Sequence, residues 1–304
     1  MRNKEFGKID FVSKISLFTV LSIVLVGLAL FTVFTKGLNY GIDFAGGTEV
    51  QVLFKVDTNA AQVRKIVDGL GLGEAQVQAF GEAEEFLFRF QNDDTKSDSA
   101  QNEENKARVA SLRKAFTETF GESQFEIRRI DTVGPQVGSQ LKKNALLAMF
   151  YSLLLILIYI GLRFDYEYAP GAIFSLFHDV AIAVGLYSLI GKEVNIQILA
   201  AVLTIIGLSL NDTIINFDRI RENRNLLKDA SLENIINLSI NQMLTRTILT
   251  SLTIVFAVGS LFFFAGGVIS DFALVLGIGI TVGTYSSIYV AAPIMLLGQK
   301  LKKS

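Results

Sequence analysis

The stretch Val194–Phe217, VNIQILAAVLTIIGLSLNDTIINF, decides the fold class. A helix needs about 20 predominantly apolar residues to cross the hydrocarbon core of a bilayer, and this run supplies them. It also carries Asp212, and a carboxylate at that depth is costly unless it is paired, hydrated or protonated. A chain that places one there uses it. The run therefore reads both as a membrane helix and as the best pointer to function.

Five similar runs flank it: Ile15–Phe34, Asn144–Leu162, Ala169–Gly191, Thr247–Ser270 and Phe272–Gln299. The chain has 304 residues and is 51% hydrophobic, more than a soluble domain of this length carries. The expected fold is a polytopic α-helical membrane protein with six transmembrane helices. The last run is overlong and is expected to tilt or protrude. The first is too long for a cleavable signal, and no small-residue cleavage site follows it, so it reads as a retained anchor.

Basic residues set the orientation. Arg2, Lys4, Lys8 and Lys14 precede the first run, and Lys300, Lys302 and Lys303 follow the last. Arg219, Arg221, Arg224, Lys228 and Arg246 cluster between the fourth and fifth. All are expected on the cytoplasmic side, with both termini. Residues 1–35 then form the N-terminus and first helix, 36–143 an extracytoplasmic domain, and 144–304 the remaining helices and C-terminus. The short turns near Lys192 and Gly267 face outward. The loop Arg219–Lys228 reads as a topology signal, with a docking surface as the alternative.

Composition also excludes. Net charge is −1, so bulk charge makes no case for nucleic acid. No Cys is present, which removes disulfides and thiolate chemistry, and one His cannot build a His-based metal cluster. No nucleophile–base pair or phosphate loop is evident, so no catalytic or metal residues are assigned and no enzyme activity is expected.

The 36–143 segment alternates between strand and helix periods. Thr48–Val56, Glu74–Phe80, Glu85–Gln91 and Gln124–Asp131 read as strands, with a turn at Gly81. Ala60–Leu70 reads as a helix capped by Asn59, and Glu104–Phe120 as a second. Asn92–Asn105 is polar and reads as a mobile loop. The order βαββαβ predicts an α+β ferredoxin-like domain. Two junctions join it to the membrane: Gly41–Thr48, GIDFAGGT, with Gly46 and Gly47, and Val133–Gly138, VGPQVG, with Gly134 and Pro135. They read as tight turns or as hinges.

Inside the membrane, Ser209, Asp212, Thr213 and Asn216 recur at helical spacing as one polar stripe, which is expected to face the bundle interior or a water-filled cavity. Helix five begins with Gln242, Arg246, Thr250 and Thr253 on one stripe. Helix six supplies Gly277, Thr281 and Thr284, with a Gly279–Gly283 pair for close approach. Asp212 and Arg246 lie near the same leaflet and are expected to meet, as a proton relay or as a static pair. His178–Asp179 is a secondary ionisable spot. Neighbours at i and i+1 do not face one another, so separate interhelical bonds are expected. Asp271 reads as an interfacial residue or cap, Phe262–Phe264 as outer packing, and Tyr159, Phe164, Tyr166 and Tyr168 as an inner aromatic belt.

These residues resemble a known family. Asn211–Asn223, NDTIINFDRIREN, is similar to the signature of SecF-like members of the SecD/SecF protein-export family. So are GIDFAGGTEV at 41–50, VGPQVGSQL at 133–141, FHD at 177–179, SINQMLTRTILTSLT at 239–253 and DFALVLGIGITVGTYSSIYVAAP at 271–293. Leu208 stands where the family commonly has Tyr, and Asn216 where it has an aliphatic residue. The resemblance implies membership of the resistance–nodulation–division superfamily and an accessory role in the Sec translocase of the bacterial cytoplasmic (inner) membrane. It implies SecD as partner, then the SecYEG channel with SecA, YajC and YidC as further associates, with translocating preproteins and membrane lipids. No cofactor is implied; the proton gradient supplies the energy. Asp212 and Arg246 match the family's proposed proton-path residues, with Ser209, Asn211, Thr213, Asn216, Thr250, Thr281 and Thr284 in support. The competing readings are a proton-driven exporter of small molecules or lipids, and a non-conducting scaffold.

Overall fold

The computed structural model describes residues 9–71, 75–79, 84–91, 98–163 and 168–303. A 3₁₀ turn at Val12–Lys14 runs into α1 (Ile15–Lys36), which ends at Gly37 with φ of 74°. There follow β1 (Asn39–Tyr40), a single helical turn α2 (Ile42–Ala45), β2 (Gly47–Phe54), α3 (Ala60–Asp68), β3 (Ala75–Ala79), β4 (Glu85–Gln91), α4 (Asp98–Phe120) and β5 (Phe125–Val133). Four of these strands form an antiparallel sheet in the order β3-β4-β2-β5. Val50, Val52 and Phe54 of β2 and Phe86, Phe88 and Phe90 of β4 are buried against Val63 and Val67 of α3 and Leu112 and Phe116 of α4. Phe54 meets Phe116 edge-on at 5.1 Å.

Asn59 caps α3 as its sequence predicts: its side chain accepts from the Gln62 N–H at 2.9 Å, within a reciprocal capping box. α4 corrects an expectation. It begins at Asp98, so residues 98–105 are helical where polarity suggested a loop; 92–97 and the turn at Gly81 lie outside the described residues. Ala100, Gln101, Glu103 and Glu104 there are good helix formers. Two of them pair along the surface, Lys106 with Glu103 at 2.8 Å and Arg108 with Glu104 at 2.9 Å.

α5 (Pro135–Arg163) starts one residue after β5 and continues without a break into the apolar run. Pro135 takes the first helical position, where its missing N–H costs nothing. Gly138 packs on the other junction: a Cβ there would lie 3.0 Å from the Gly46 nitrogen. The two glycine-containing junctions therefore touch each other.

The rest of the chain forms α6 (Ala169–Ile190), β6 (Glu193–Val194), α7 (Ile196–Leu226), α8 (Leu232–Phe264), α9 (Gly267–Tyr289) and α10 (Ala291–Lys303). Among the described residues six helical spans are long and apolar enough to cross a membrane. α6 and α7 each bury half of their apolar window within the chain, whereas α5 buries 6%, so α6 and α7 form the centre and α5 an outer wall. Glycines set the closest approaches: a Cβ at Gly185 would overlap Ala29 of α1, and one at Gly279 would overlap Ile205 of α7.

Three helix ends differ from expectation. The basic segment after Phe217 is not a loop, because α7 stays helical to Leu226. Arg219 pairs with Glu222 at 2.6 Å, and Asn223 bonds Ser239 and Gln242 of α8, each at 2.8 Å, which satisfies polar groups along this extension. α8 begins at Leu232, with Ser231 as its cap, well before Gln242. The last run is broken at Val290 rather than being one overlong helix, since Pro293 cannot donate to the carbonyl of Tyr289. Of the aromatic belt, Tyr168 is buried against Phe217 at 5.4 Å, and Phe164 and Tyr166 lie outside the described residues.

The sheet is tied to the helices at one end of the bundle. β1 pairs in parallel with β6, joining the segment after α1 to the α6–α7 link. Asp43 accepts from the Ile196 N–H at 3.1 Å, beside the Asn195 cap at the start of α7. Arg89 of β4 is clamped between Glu49 of β2 and Glu193 of the link. Burial alone would lower its affinity for the proton, but Glu193 and Glu49 together hold the guanidinium above its usual pKa. Asp271 pairs with Lys192 instead of capping α9.

Candidate functional site

Close packing of α9 on α7 builds the site. Gly279 lets α9 approach Ile205, and one turn later Gly283 meets Ser209, where a Cβ would stand 3.1 Å from the serine Cβ. Beside this contact lies a cavity of about 20 Å³. That is room for about one water molecule. Ser209, Asn211 and Asp212 of α7, Thr250 and Ser251 of α8, and Gly283 and Thr284 of α9 line it, together with the aliphatic side chains of Leu208, Ile254 and Ile280. Ser251 and Thr284 share a hydrogen bond of 2.6 Å across the α8–α9 contact.

Asp212 is half-buried and makes no hydrogen bond or ion pair among the described residues. Arg246 acts on it electrostatically from α8 without forming an ion pair, and its side chain is exposed. The structure thus gathers Ser209, Asn211, Asp212, Thr250 and Thr284 around one cavity. It keeps three expected members apart. Thr213 is buried and donates to the Ser209 carbonyl at 3.2 Å, Thr281 donates to the Gly277 carbonyl at 2.8 Å, and the Asn216 Nδ2 is buried without a partner among the described residues.

A second polar cluster adjoins the first and corrects the expectation for His178 and Asp179. The two side chains do meet: His178 Nδ1 lies 2.8 Å from Asp179 Oδ1. The short aspartate and the ring nitrogen next to Cγ bridge the angle between successive side chains, and both residues are buried. The other oxygen, Oδ2, accepts from Ser209 and from Ser286, the latter at 2.7 Å. Ser175 bonds Ser286 at 2.9 Å. The His178 ring stacks on Tyr285 with centroids 6.0 Å apart, and Tyr285 reaches Ser22 and the Phe18 carbonyl of α1. Sequence reasoning missed Ser251, Ser286 and Tyr285. The signal was present in Gly283–Ser287, GTYSS, a polar, small-residue stretch inside an apolar run.

Comparison with known proteins agrees with this architecture. Residues 112–301 match the C-terminal family model of the SecD/SecF protein export membrane proteins, and residues 31–57 match the SecD/SecF GG motif. The chain is 42% identical over 302 residues to the protein translocase subunit SecF of Calditerrivibrio nitroreducens, covering 99% of this chain and 97% of that one. It is 44% identical over 288 residues to that of Magnetococcus marinus, covering 95% and 91%. The crystal structure of SecDF, a translocon-associated membrane protein from Thermus thermophilus, superposes with a TM-score of 0.82 at 36% identity, covering 96% of this chain. This chain spans 39% of that longer one. A match over most of its length, at this identity, means that the chain belongs to the SecD/SecF family of protein export membrane proteins, among its SecF members.

Proposed function

We propose that this chain is an accessory subunit of the Sec protein translocase and that, with a SecD partner, it uses the proton motive force to assist preprotein export. The observation that carries the reading is Asp212. It is a carboxylate in a membrane-length helix, held by no hydrogen bond or ion pair among the described residues, beside a water-sized cavity that Ser209, Thr250, Ser251 and Thr284 line together with Leu208, Ile254 and Ile280. A static charge in hydrocarbon would need fixed partners. A carboxylate left open to one water is arranged to exchange a proton. Arg246, one turn before Thr250 on α8, biases that exchange electrostatically.

The rest of the reading follows. SecD supplies the other half of the transmembrane assembly, in line with the 39% of the Thermus SecDF chain that this protein spans. The SecYEG channel with SecA delivers the preprotein; YajC, YidC and membrane lipids surround the complex. Both termini are cytoplasmic, and residues 36–143 face outward as a ferredoxin-like domain, a reading supported by the strand order β3-β4-β2-β5. The energy source is the proton gradient, with no cofactor.

The test is preprotein export into vesicles carrying the complex with its SecD partner, with and without a proton gradient. Asp212→Asn should abolish the gradient-dependent component and Asp212→Glu should retain part of it. Equal gradient stimulation in the parent and Asp212→Asn would end the proposal.

A further inference from the structure

The buried cluster around Asp179 is the part of the bundle that the proposed path does not use. Asp179 is 0% exposed and His178 4%, and the His178 Nε2 is buried with no partner among the described residues. The groups facing the pair come from three helices. α9 presents Tyr285 and Ser286, α7 presents Ser209, and α1 reaches it through Ser22 on Tyr285. Among the described residues no Lys or Arg pairs with Asp179; His178 is its one ion-pair partner. Neutral imidazole beside carboxylate leaves this pair with a net charge of −1, and one more proton makes it neutral. A buried net charge is costly where no counter-ion is at hand, so the proton count of this pair carries the charge balance.

The pair is also wired to the first site. Ser209 lines the Asp212 cavity and donates its hydroxyl to Asp179 Oδ2. Gly283 lines the same cavity, and a Cβ there would lie 3.5 Å from Asp179 Oδ2. No residue therefore stands between the cavity and the pair except the serine hydroxyl that already bonds to it.

We infer that His178–Asp179 is a second proton-holding site in series with Asp212, joined to it through Ser209. The inference rests on the proton role proposed for Asp212. In the step, Asp212 gives its proton to a water in the cavity. The water gives one of its protons to Ser209 Oγ as the serine's own proton passes to Asp179 Oδ2. The water and the serine end unchanged, Asp212 ends as carboxylate, and the pair gains one proton. Reversal of the same relay empties it, and no oxidant or further reactant enters.

Two measurements on the complex with its SecD partner test this. Ser209→Ala removes the link and leaves both carboxylates. Gradient-dependent export should fall by about a hundredfold or more, the scale for loss of a proton-transfer group, with complex yield unchanged. Infrared difference spectra on acidification should contain a carboxyl band that is absent from Asp179→Asn and present in Asp212→Asn. If the parent and Asp179→Asn spectra coincide, Asp179 is a fixed structural anion and the inference is overturned. Full gradient-dependent export in Ser209→Ala overturns it as well. Should a variant fail to assemble, the other arm decides. Retained gradient dependence in Asp212→Asn would instead strike the Asp212 reading, and the Asp179 band would still report whether the pair titrates.

Discussion

Replacing Asp212 by Asn keeps its size and removes its titration. The structure sets the expected stability change. If Asp212 and Arg246 formed a buried ion pair, losing one partner would cost about 3–5 kcal/mol. They form none: Asp212 has no hydrogen bond or ion pair among the described residues, and Arg246 is exposed. Asp212→Asn should then change the stability of the complex by less than about 1 kcal/mol, in line with substitutions that break no buried network. Arg246→Gln should behave likewise, and in the double variant the coupling energy should stay below about 0.5 kcal/mol. Function should move by far more. A group that transfers protons contributes roughly a hundredfold or more, so gradient-dependent export should vanish in Asp212→Asn and stay absent in the double variant. The assay is thermal unfolding of the complex in detergent, set beside export in energised vesicles. A coupling energy above about 2 kcal/mol, or recovery of gradient-dependent export in the double variant, would refute the reasoning and make Asp212 a structural residue.

Three further outcomes follow from packing. Gly47 has φ of 143°, and a Cβ there would stand 2.5 Å from the Phe90 carbonyl oxygen, so Gly47→Ala should cost about 3 kcal/mol or more and lower complex yield before it touches export. Unchanged thermal stability would contradict it. Arg89→Met leaves Glu49 and Glu193 facing each other and should destabilise by about 3–5 kcal/mol, while the triple variant Glu49→Gln, Arg89→Met, Glu193→Gln should recover much of that loss; parallel melting curves of the two variants decide. Gly279→Ala forces its methyl into Ile205 and should cost about 1–3 kcal/mol, and Ile205→Val should partly rescue it. Additive losses in that double variant would show that the two residues do not share the contact.

The membrane helices were legible because their signal is collective: twenty apolar residues in a row leave few alternatives. Asp212 was legible for the same reason, as a charge against an apolar background. Helix ends were not. Hydropathy stops at Phe217, but α7 continues to Leu226 because Asn223 and Arg219 find partners on α8, and no periodicity reports such partners in advance. The start of α4 was hidden in the same way, by surface pairs among polar residues. The Asp179 cluster was half legible. FHD marked two ionisable residues, but the hydroxyls that hold Asp179 come from Ser209 and Ser286, 30 and 107 residues away, and only the α6–α7–α9 packing brings them together.

The attachment of α7 bears on why it carries a carboxylate that makes no hydrogen bond or ion pair among the described residues. Its first turn is held by the glycine-rich junction: Asp43 bonds the Ile196 N–H, and β6, just before it, pairs with β1. The same link carries Glu193, clamped by Arg89 of the sheet. From Ile196 to Asp212 the helix runs about 24 Å, unbroken by proline. A helix of that length moves as a rigid element, so a displacement at its capped end arrives at Asp212 as a shift or rotation against α9. At that point the closest α7–α9 contact is Gly283 on Ser209. Asp212 itself has no hydrogen bond among the described residues that would resist it. Its surroundings are therefore set by the position of α7, and α7 is positioned by the segment that begins the sheet. The surroundings of Asp212 and the attachment of residues 36–143 thus meet on a single helix, the arrangement that the proposed proton-driven role requires.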